Sequence, residues 1–290
     1  HTLSLHDALP IWNEPIHEFK PEVYAQILKR AVRAIRKADP EAKIVGMGGS
    51  YSADWCVRVL RALGGRPSDY MDVLSTHIYP SKADPMNPRD ERAAKEFREK
   101  IIQPYKLTVW NTETGAWCRG FYKGANASFE RPGEPLWVYQ DGWRFYRGCT
   151  REAERVAWSF LHSMGNGFRR YFYYDSRFHA APDYHRSHCT ILAYDDSIRS
   201  KGVAYAVCAN VFDKAVGVGD ASPAETVFAY VFDRGGTPLA AVWSADTKPK
   251  RMSLAPAAAR AQALDMMGNP VEHDGRTLSF GRQPVYLVGR

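Results

Sequence analysis

Apolar positions along the chain follow two periods. From Pro21 to Ala38, Val23, Ile27, Leu28, Ala31, Ala34 and Ile35 fall on one stripe. Pro21 suits a first turn and Asp39-Pro40 stops the run, so the pattern predicts an amphipathic helix. Lys43 to Met47 (KIVGM) is a short apolar run closed by Gly48-Gly49-Ser50, the signature of a buried strand. A helix from Ala53 to Leu63, a strand from Met71 to His77 (MDVLSTH), a charged helix from Arg89 to Ile102 and a strand from Leu107 to Asn111 (LTVWN) come next. Past an aromatic stretch that runs to Cys149, the pattern predicts a helix over Glu152 to Met164. A strand over Arg170 to Tyr174 (RYFYY) and a helix over Ile198 to Val211 complete this half. Apolar strands that alternate with helices predict a parallel sheet with helical crossovers.

After Asp213 the period shortens. Thr226 to Phe232, Leu239 to Trp243, Arg251 to Leu254, Ala261 to Asp265, Leu278 to Phe280 and Val285 to Val288 are brief apolar runs. Gly235-Gly236, Gly268-Asn269-Pro270 and Asp274-Gly275 separate them, so a small antiparallel β-sandwich is expected over 217–290, after an α/β part over 12–216.

Composition changes this picture little. An apolar content of 45% is that of an ordinary globular chain. The formal charge of +7 comes from scattered Lys and Arg, such as Lys29, Arg30, Arg33, Arg36 and Lys37, and reads as a solvated face; no nucleic-acid partner is expected. No apolar run is long enough to span a bilayer as a helix, and no membrane partner is expected. Five widely spaced cysteines (Cys56, Cys118, Cys149, Cys189, Cys208) without any Cys-x-x-Cys predict buried thiols, with at most one bridge such as Cys118 to Cys149.

The chemistry lies at two strand ends. Glu14, in Trp12-Asn13-Glu14-Pro15, follows an apolar stub; Glu113, in Trp110-Asn111-Thr112-Glu113, follows the strand LTVWN. They lie 99 residues apart with three strand–helix units between them. That is about 33 residues per unit, against the ~30 expected of a crossover unit. Carboxylates at the C-terminal ends of parallel barrel strands stand where active sites of that fold gather. Two of them about 5 Å apart suit glycoside hydrolysis with retention, and a wider pair suits inversion.

Trp12-Asn13-Glu14-Pro15 resembles the acid/base motif of clan A glycoside hydrolases. Trp110 to Gly115 resembles their nucleophile motif, and His77-Ile78-Tyr79-Pro80 their His-x-Tyr signature, with families 39 and 5 nearest. The resemblance covers about Trp12 to Asp213. It implies the C-terminal part of a (β/α)8 TIM barrel, strands 4 to 8, acting as a retaining O-glycosyl hydrolase on a β-linked glycoside or polysaccharide. Glu14 would be the general acid/base and Glu113 the nucleophile. Asn13 would bond the hydroxyl next to the anomeric carbon, Tyr79 would hold Glu113, and His77 would line the sugar pocket. No cofactor or metal is implied. A non-catalytic carbohydrate-binding protein of the same fold and an inverting enzyme stay open as alternatives. Where many clan members carry Trp on strand eight, this chain offers Tyr173, Tyr174 and Asp175, with Tyr174 the candidate sugar platform. In the aromatic stretch after Glu113, Trp117 is the best candidate to stack on a sugar.

Asn-Glu-Pro stands very near the start of the chain. Three strand–helix units should precede it, so the chain is expected to be an N-terminal truncation. Thr2 to Ile11 (TLSLHDALPI) resembles a translated sequencing adapter, and residues 1–11 are set aside as a non-native segment. Any secretion signal would lie in the missing part, with a secreted or periplasmic location plausible for the parent. A partial barrel leaves open strand edges, so this chain by itself is expected to associate and to be inactive. His179, His185, His188 and Cys189 form a loop cluster without known zinc-site spacing.

Overall fold

The structure, a computed structural model, describes residues 8–79, 89–115, 122–123, 137–140, 143–146, 150–174, 191–192, 198–246 and 248–289. In chain order the first elements are β1 (Ala8–Pro10), α1 (Pro21–Ala38), β2 (Lys43–Gly46), α2 (Ala53–Leu63), β3 (Val73–Thr76), α3 (Arg89–Phe97), α4 (Gln103–Tyr105) and β4 (Thr108–Thr114). Next come β5 (Tyr122–Lys123), β6 (Trp137–Gln140), β7 (Trp143–Tyr146), α5 (Thr150–Gly165), β8 (Arg170–Tyr173) and α6 (Ser200–Val211). The last strands are β9 (Val216–Asp220), β10 (Val227–Arg234), β11 (Thr237–Ser244), β12 (Lys250–Ser253), β13 (Gln262–Asp265), β14 (Thr277–Phe280) and β15 (Val285–Val288).

The chain forms two compact units. The first takes in the described residues up to Tyr79, with Arg89–Thr114 and His162–Phe172; the second takes in the other described residues. The first unit holds a sheet in the order β1-β2-β3-β4-β8. The pairs β1–β2, β2–β3 and β3–β4 are parallel, so the C-terminal ends of these four strands point one way. Ile44, Leu74 and Val109 of successive strands are fully buried and share a core with Leu28, Val59, Phe97, Ile101 and Phe168. Each such side chain contributes about 1.5–3 kcal/mol of transfer free energy. At the N-terminal edge, Asp72 Oδ2 accepts from the Ile44 N–H at 2.7 Å and from Arg36 Nη2 at 3.0 Å, tying α1 to the sheet at the pole opposite the Glu14 and Glu113 strand ends.

Three features depart from the sequence pattern. The buried stripe of α1 is Tyr24, Ala25, Leu28 and Val32, one residue round from the expected one, and Val23 is exposed. The shift brings the Tyr24 phenol under the sheet, where it donates to the Ile11 carbonyl at 2.9 Å and accepts from the Met47 N–H at 3.1 Å. The helix expected over Arg89 to Ile102 becomes π-helical over Arg98–Ile102 before α4. Pro104 has no N–H and its ring crowds the Lys100 carbonyl, so the preceding turn widens. Finally, the segment set aside as non-native takes part in the fold: β1 pairs with β2, and Ile11 is buried. Leu9-Pro10-Ile11 is short and apolar enough to occupy a strand position whatever its origin.

The second unit holds an antiparallel sheet in the order β13-β15-β11-β10-β9, and an antiparallel pair β12-β14. Leu278 and Phe280 of β14 share a core with Val227, Ala229, Val242, Ala263, Val285 and Leu287. The alternate face carries Phe232 and Tyr286 against Phe212, which caps α6. There Cys208 Sγ lies 3.1 Å from the Tyr286 hydroxyl, and burial pushes the thiol up to about 12. Strand β9 was not expected, and it straddles the predicted 216/217 boundary. Strands β5-β7-β6 form a third antiparallel sheet in the aromatic stretch. Cys56 and Cys208 are free and buried; Cys118, Cys149, Cys189 and the 179–189 histidine cluster lie outside the described residues.

Candidate active site

Glu14, His77 and Tyr79, past the C-terminal ends of β1 and β3, come together with Glu113, among the last residues of β4, which runs on to Thr114. His77 Nδ1 lies 2.9 Å from Glu14 Oε1 and 3.9 Å from Glu113 Oε2. The two carboxylate oxygens are therefore within about 7 Å of each other, and for an O···N···O angle up to ~120° within about 6 Å, the spacing range of paired glycosidase carboxylates. The Glu14 and Glu113 side chains keep 37% and 32% of their exposure, whereas that of His77 keeps 6%. Both carboxylates thus face solvent while the imidazole between them is fixed by packing. The Tyr79 hydroxyl donates to Glu113 Oε1 at 2.5 Å.

The segment that carries His77 and Tyr79 is clamped from β4. Asn111, fully buried, accepts from the Ile78 N–H at 3.0 Å and donates to the Ile78 carbonyl at 3.1 Å. Ser75 Oγ and Thr112 Oγ1 lie 2.6 Å apart, and Thr112 Oγ1 donates to the Thr76 carbonyl at 3.3 Å. These bonds cross-link the two strand ends that bear Tyr79 and Glu113.

On the other flank, Gly48 and Gly49 allow an approach no other residue would. A Cβ on Gly48 would meet the Trp12 carbonyl oxygen at 1.8 Å, and one on Gly49 would meet His77 Nε2 at 2.2 Å. Both have positive φ, +49° and +87°. Their neighbours Trp12 (φ 66°), Glu14 (φ 46°) and Met47 (φ 67°) are left-handed without being glycine. Such residues cost of order 1–3 kcal/mol each and cluster at functional sites. The Glu14 N–H donates to the Gly48 carbonyl at 2.5 Å, and Tyr24 ties Ile11 to Met47 behind them. The strain is therefore held by bonds between the two strand ends.

Pattern reasoning named Glu14, His77, Tyr79 and Glu113 but passed over Asn111 as a clamp, Gly48-Gly49 as a seat for the imidazole, and His17 and Tyr51. His17 Nε2 lies 3.8 Å from Glu14 Oε2, and the His17 and Tyr51 rings are 5.5 Å apart. The only signals for them were His three residues after Glu14 and an aromatic after a strand-ending Gly-Gly-Ser. Asn13 is exposed beside Glu14. Trp117 lies outside the described residues; Tyr174, half-buried after β8, belongs to the second unit. Among the described residues no group of three His, Cys, Asp or Glu is placed to hold a metal ion.

No family model and no curated protein matches the sequence. Solved structures do. A family 39 glycoside hydrolase from the gut symbiont Bacteroides cellulosilyticus WH2 is similar over 97% of this chain and 57% of its own, with a TM-score of 0.65 and 19% identity. A glycoside hydrolase family 30 endoxylanase from Clostridium papyrosolvens C71 is similar over 98% of this chain and 65% of its own (TM-score 0.59, 12% identity). A family 51 α-L-arabinofuranosidase from Bifidobacterium longum is similar over 96% and 66% (TM-score 0.58, 13% identity). The chain therefore spans between 57% and 66% of the length of these structures. Its fold is similar to that of these glycoside hydrolase structures, with helices alternating with the strands of a parallel sheet.

Proposed function

We propose that this chain carries the active site of a retaining O-glycosyl hydrolase acting on a β-linked glycoside or polysaccharide. The observation that carries the reading is the pair Glu14 and Glu113, flanking one imidazole nitrogen at 2.9 and 3.9 Å. Glu14 gives its proton to the glycosidic oxygen as a Glu113 oxygen attacks the anomeric carbon and the glycosidic bond breaks. Glu14, now a carboxylate, takes a proton from water, whose oxygen displaces Glu113 and releases the sugar. Tyr79 orients Glu113 through the bond to Oε1, leaving Oε2 for attack. Asn13, exposed beside Glu14, is assigned to the neighbouring sugar hydroxyl. Strands β1 to β4 and β8 are assigned to barrel strands 4 to 8, and strands β9 to β15 to the trailing β-sandwich expected over 217–290.

Two other readings are less well supported. Inversion calls for carboxyl groups ~6.5–9.5 Å apart, and two oxygens that share the His77 nitrogen at 2.9 and 3.9 Å favour the shorter spacing. A non-catalytic binding protein needs neither Glu14 nor a second carboxylate beside it. The chain alone is proposed to turn over poorly, since it spans little more than half of the family 39 structure.

The test is covalent trapping, run on this chain and on a longer protein containing it. Dinitrophenyl 2-deoxy-2-fluoro-β-glycosides should leave a fluoroglycosyl ester on Glu113, read by peptide mass, and none on Glu113→Gln. Equal hydrolysis of aryl glycosides by Glu113→Gln and the unsubstituted protein would sink the assignment.

A further inference from the structure

We infer that His17 and Tyr51 form the leaving-group subsite of this centre, and that the group seated there is a sugar ring; the inference rests on the glycosidase reading above. The two oxygens of Glu14 have different neighbours. Oε1 bonds His77 Nδ1, on the side where Glu113 stands, and Oε2 looks toward His17 Nε2 at 3.8 Å. The sugar under attack must lie over Glu113. The unit that departs with the proton of Glu14 lies on the other side, where His17 and Tyr51 stand.

The chemistry of that side suits a carbohydrate. Among the described residues, Tyr51 is one of few large hydrophobic side chains that stay exposed, at 42%. Its ring leans on the His17 imidazole at 5.5 Å with the planes 46° apart. An exposed aromatic face stacks on sugar C–H surfaces, and its hydroxyl can bond sugar oxygens. At 3.8 Å the His17–Glu14 pair is too long for a hydrogen bond, so Nε2 can serve a ligand hydroxyl.

The platform is also fixed in place. The Ser50 N–H donates to the Met47 carbonyl at 3.0 Å, and Ser52 Oγ caps α2 through the Trp55 N–H at 3.3 Å. Tyr51 sits between that turn and that cap. His17 ends the single turn Pro15–His17 that follows Glu14, closed by the Glu18 N–H on the Pro15 carbonyl at 3.1 Å. A rigid aromatic contact loses little entropy on binding. His17 Nε2, at 3.8 Å, stands outside hydrogen-bond reach of Glu14 Oε2. Both residues are assigned to selecting the ligand rather than moving a proton, and their loss falls on ligands long enough to fill both sides of the bond.

The experiment is an NMR titration of the chain carrying Glu113→Gln with xylotriose, cellotriose and laminaritriose, each beside its monosaccharide. Tyr51→Ala should weaken the bound trisaccharide about tenfold or more, the scale of one lost aromatic stack, and leave the monosaccharide within about twofold. Tyr51→Phe should keep the affinity to within about threefold, which separates lost stacking from misfolding. Unchanged trisaccharide affinity in Tyr51→Ala overturns the subsite and leaves the glycosidase reading standing. An equal loss for monosaccharide and trisaccharide also overturns it, by moving Tyr51 to the attacked sugar. No binding of any saccharide, with or without Glu113→Gln, overturns both readings.

Discussion

His77 stands between Glu14 and Glu113, with one ring nitrogen 2.9 Å from the first carboxylate and 3.9 Å from the second, and with its far edge against Gly49. One nitrogen cannot donate to both carboxylates at once, so His77 sets the orientation of Glu14 while adding a dipole beside Glu113. Replacing it by Ala leaves both carboxylates but removes their common neighbour. In a catalytically competent form of the protein, His77→Ala should lower kcat/KM on aryl β-glycosides about 100-fold, within the range of a lost positioned polar group. Steady-state kinetics with a parallel thermal melt check this. An unchanged kcat/KM would reduce His77 to packing.

Gly49 gives a sharper stability test because backbone and space act together. Its φ of +87° disfavours any side chain, and a Cβ would lie 2.2–2.5 Å from three atoms of the His77 ring. Gly49→Ala should cost about 2–4 kcal/mol, the sum of left-handed strain and a clash in a packed site. Gly65 is the control. It too has positive φ (+75°), but its added Cβ would meet only ordinary contacts, from 3.7 Å outward. Gly65→Ala should cost only about 1–2 kcal/mol, the left-handed strain alone. Urea unfolding of the two variants measures the difference, and equal costs would remove the claimed contact with His77.

Part of this architecture is legible in the sequence, and the reason differs element by element. The runs KIVGM and MDVLSTH announce β2 and β3 because a strand buried on both faces carries adjacent apolar residues, here Ile44-Val45 and Val73-Leu74. Glu14 and Glu113 are legible because each follows such a run. Strand β9 is not: Val216-Gly217-Val218-Gly219 reads as linker and becomes a strand only by pairing with β10 across a register shift at Val231/Phe232. The roles of Gly48 and Gly49 are equally hidden, since a glycine does not say which atoms will lie opposite it. The α1 stripe was read one residue out because Tyr24, with its polar tip, was not counted as core, yet its hydroxyl finds two backbone partners there.

Asn111 is where a conservative change should do most harm. Its amide satisfies both the N–H and the carbonyl of Ile78, in a place with no exposure. Asn111→Ala strands both backbone groups and should cost about 2–4 kcal/mol, from two buried unsatisfied partners at ~1–3 kcal/mol each with some relief by relaxation. Asn111→Asp keeps the acceptor, loses the donor and buries a charge, so it should be at least as damaging at pH 7. Differential scanning calorimetry checks the order. A variant with Asp at 111 more stable than the native chain would refute the two-way clamp.

His162 lets acid stability be assigned to one buried group. Burial pushes its imidazole from the ordinary 6.5 down to about 3, so it stays neutral in the fold while the unfolded chain protonates it below about 6.5. Protons then bind the unfolded state preferentially between those two values, and stability must fall as pH drops through that window. The slope approaches about 1.4 kcal/mol per pH unit, so lowering the pH from 7 to 5 should cost about 2 kcal/mol through this residue alone. The loss should be complete near pH 3, where the folded form also protonates. His162→Gln cannot titrate, so although less stable at pH 7 it should lose about 2 kcal/mol less than the native chain over the same interval. Urea unfolding of both proteins at pH 7 and pH 5 measures this. Parallel losses in the two would place the acid sensitivity elsewhere in the fold.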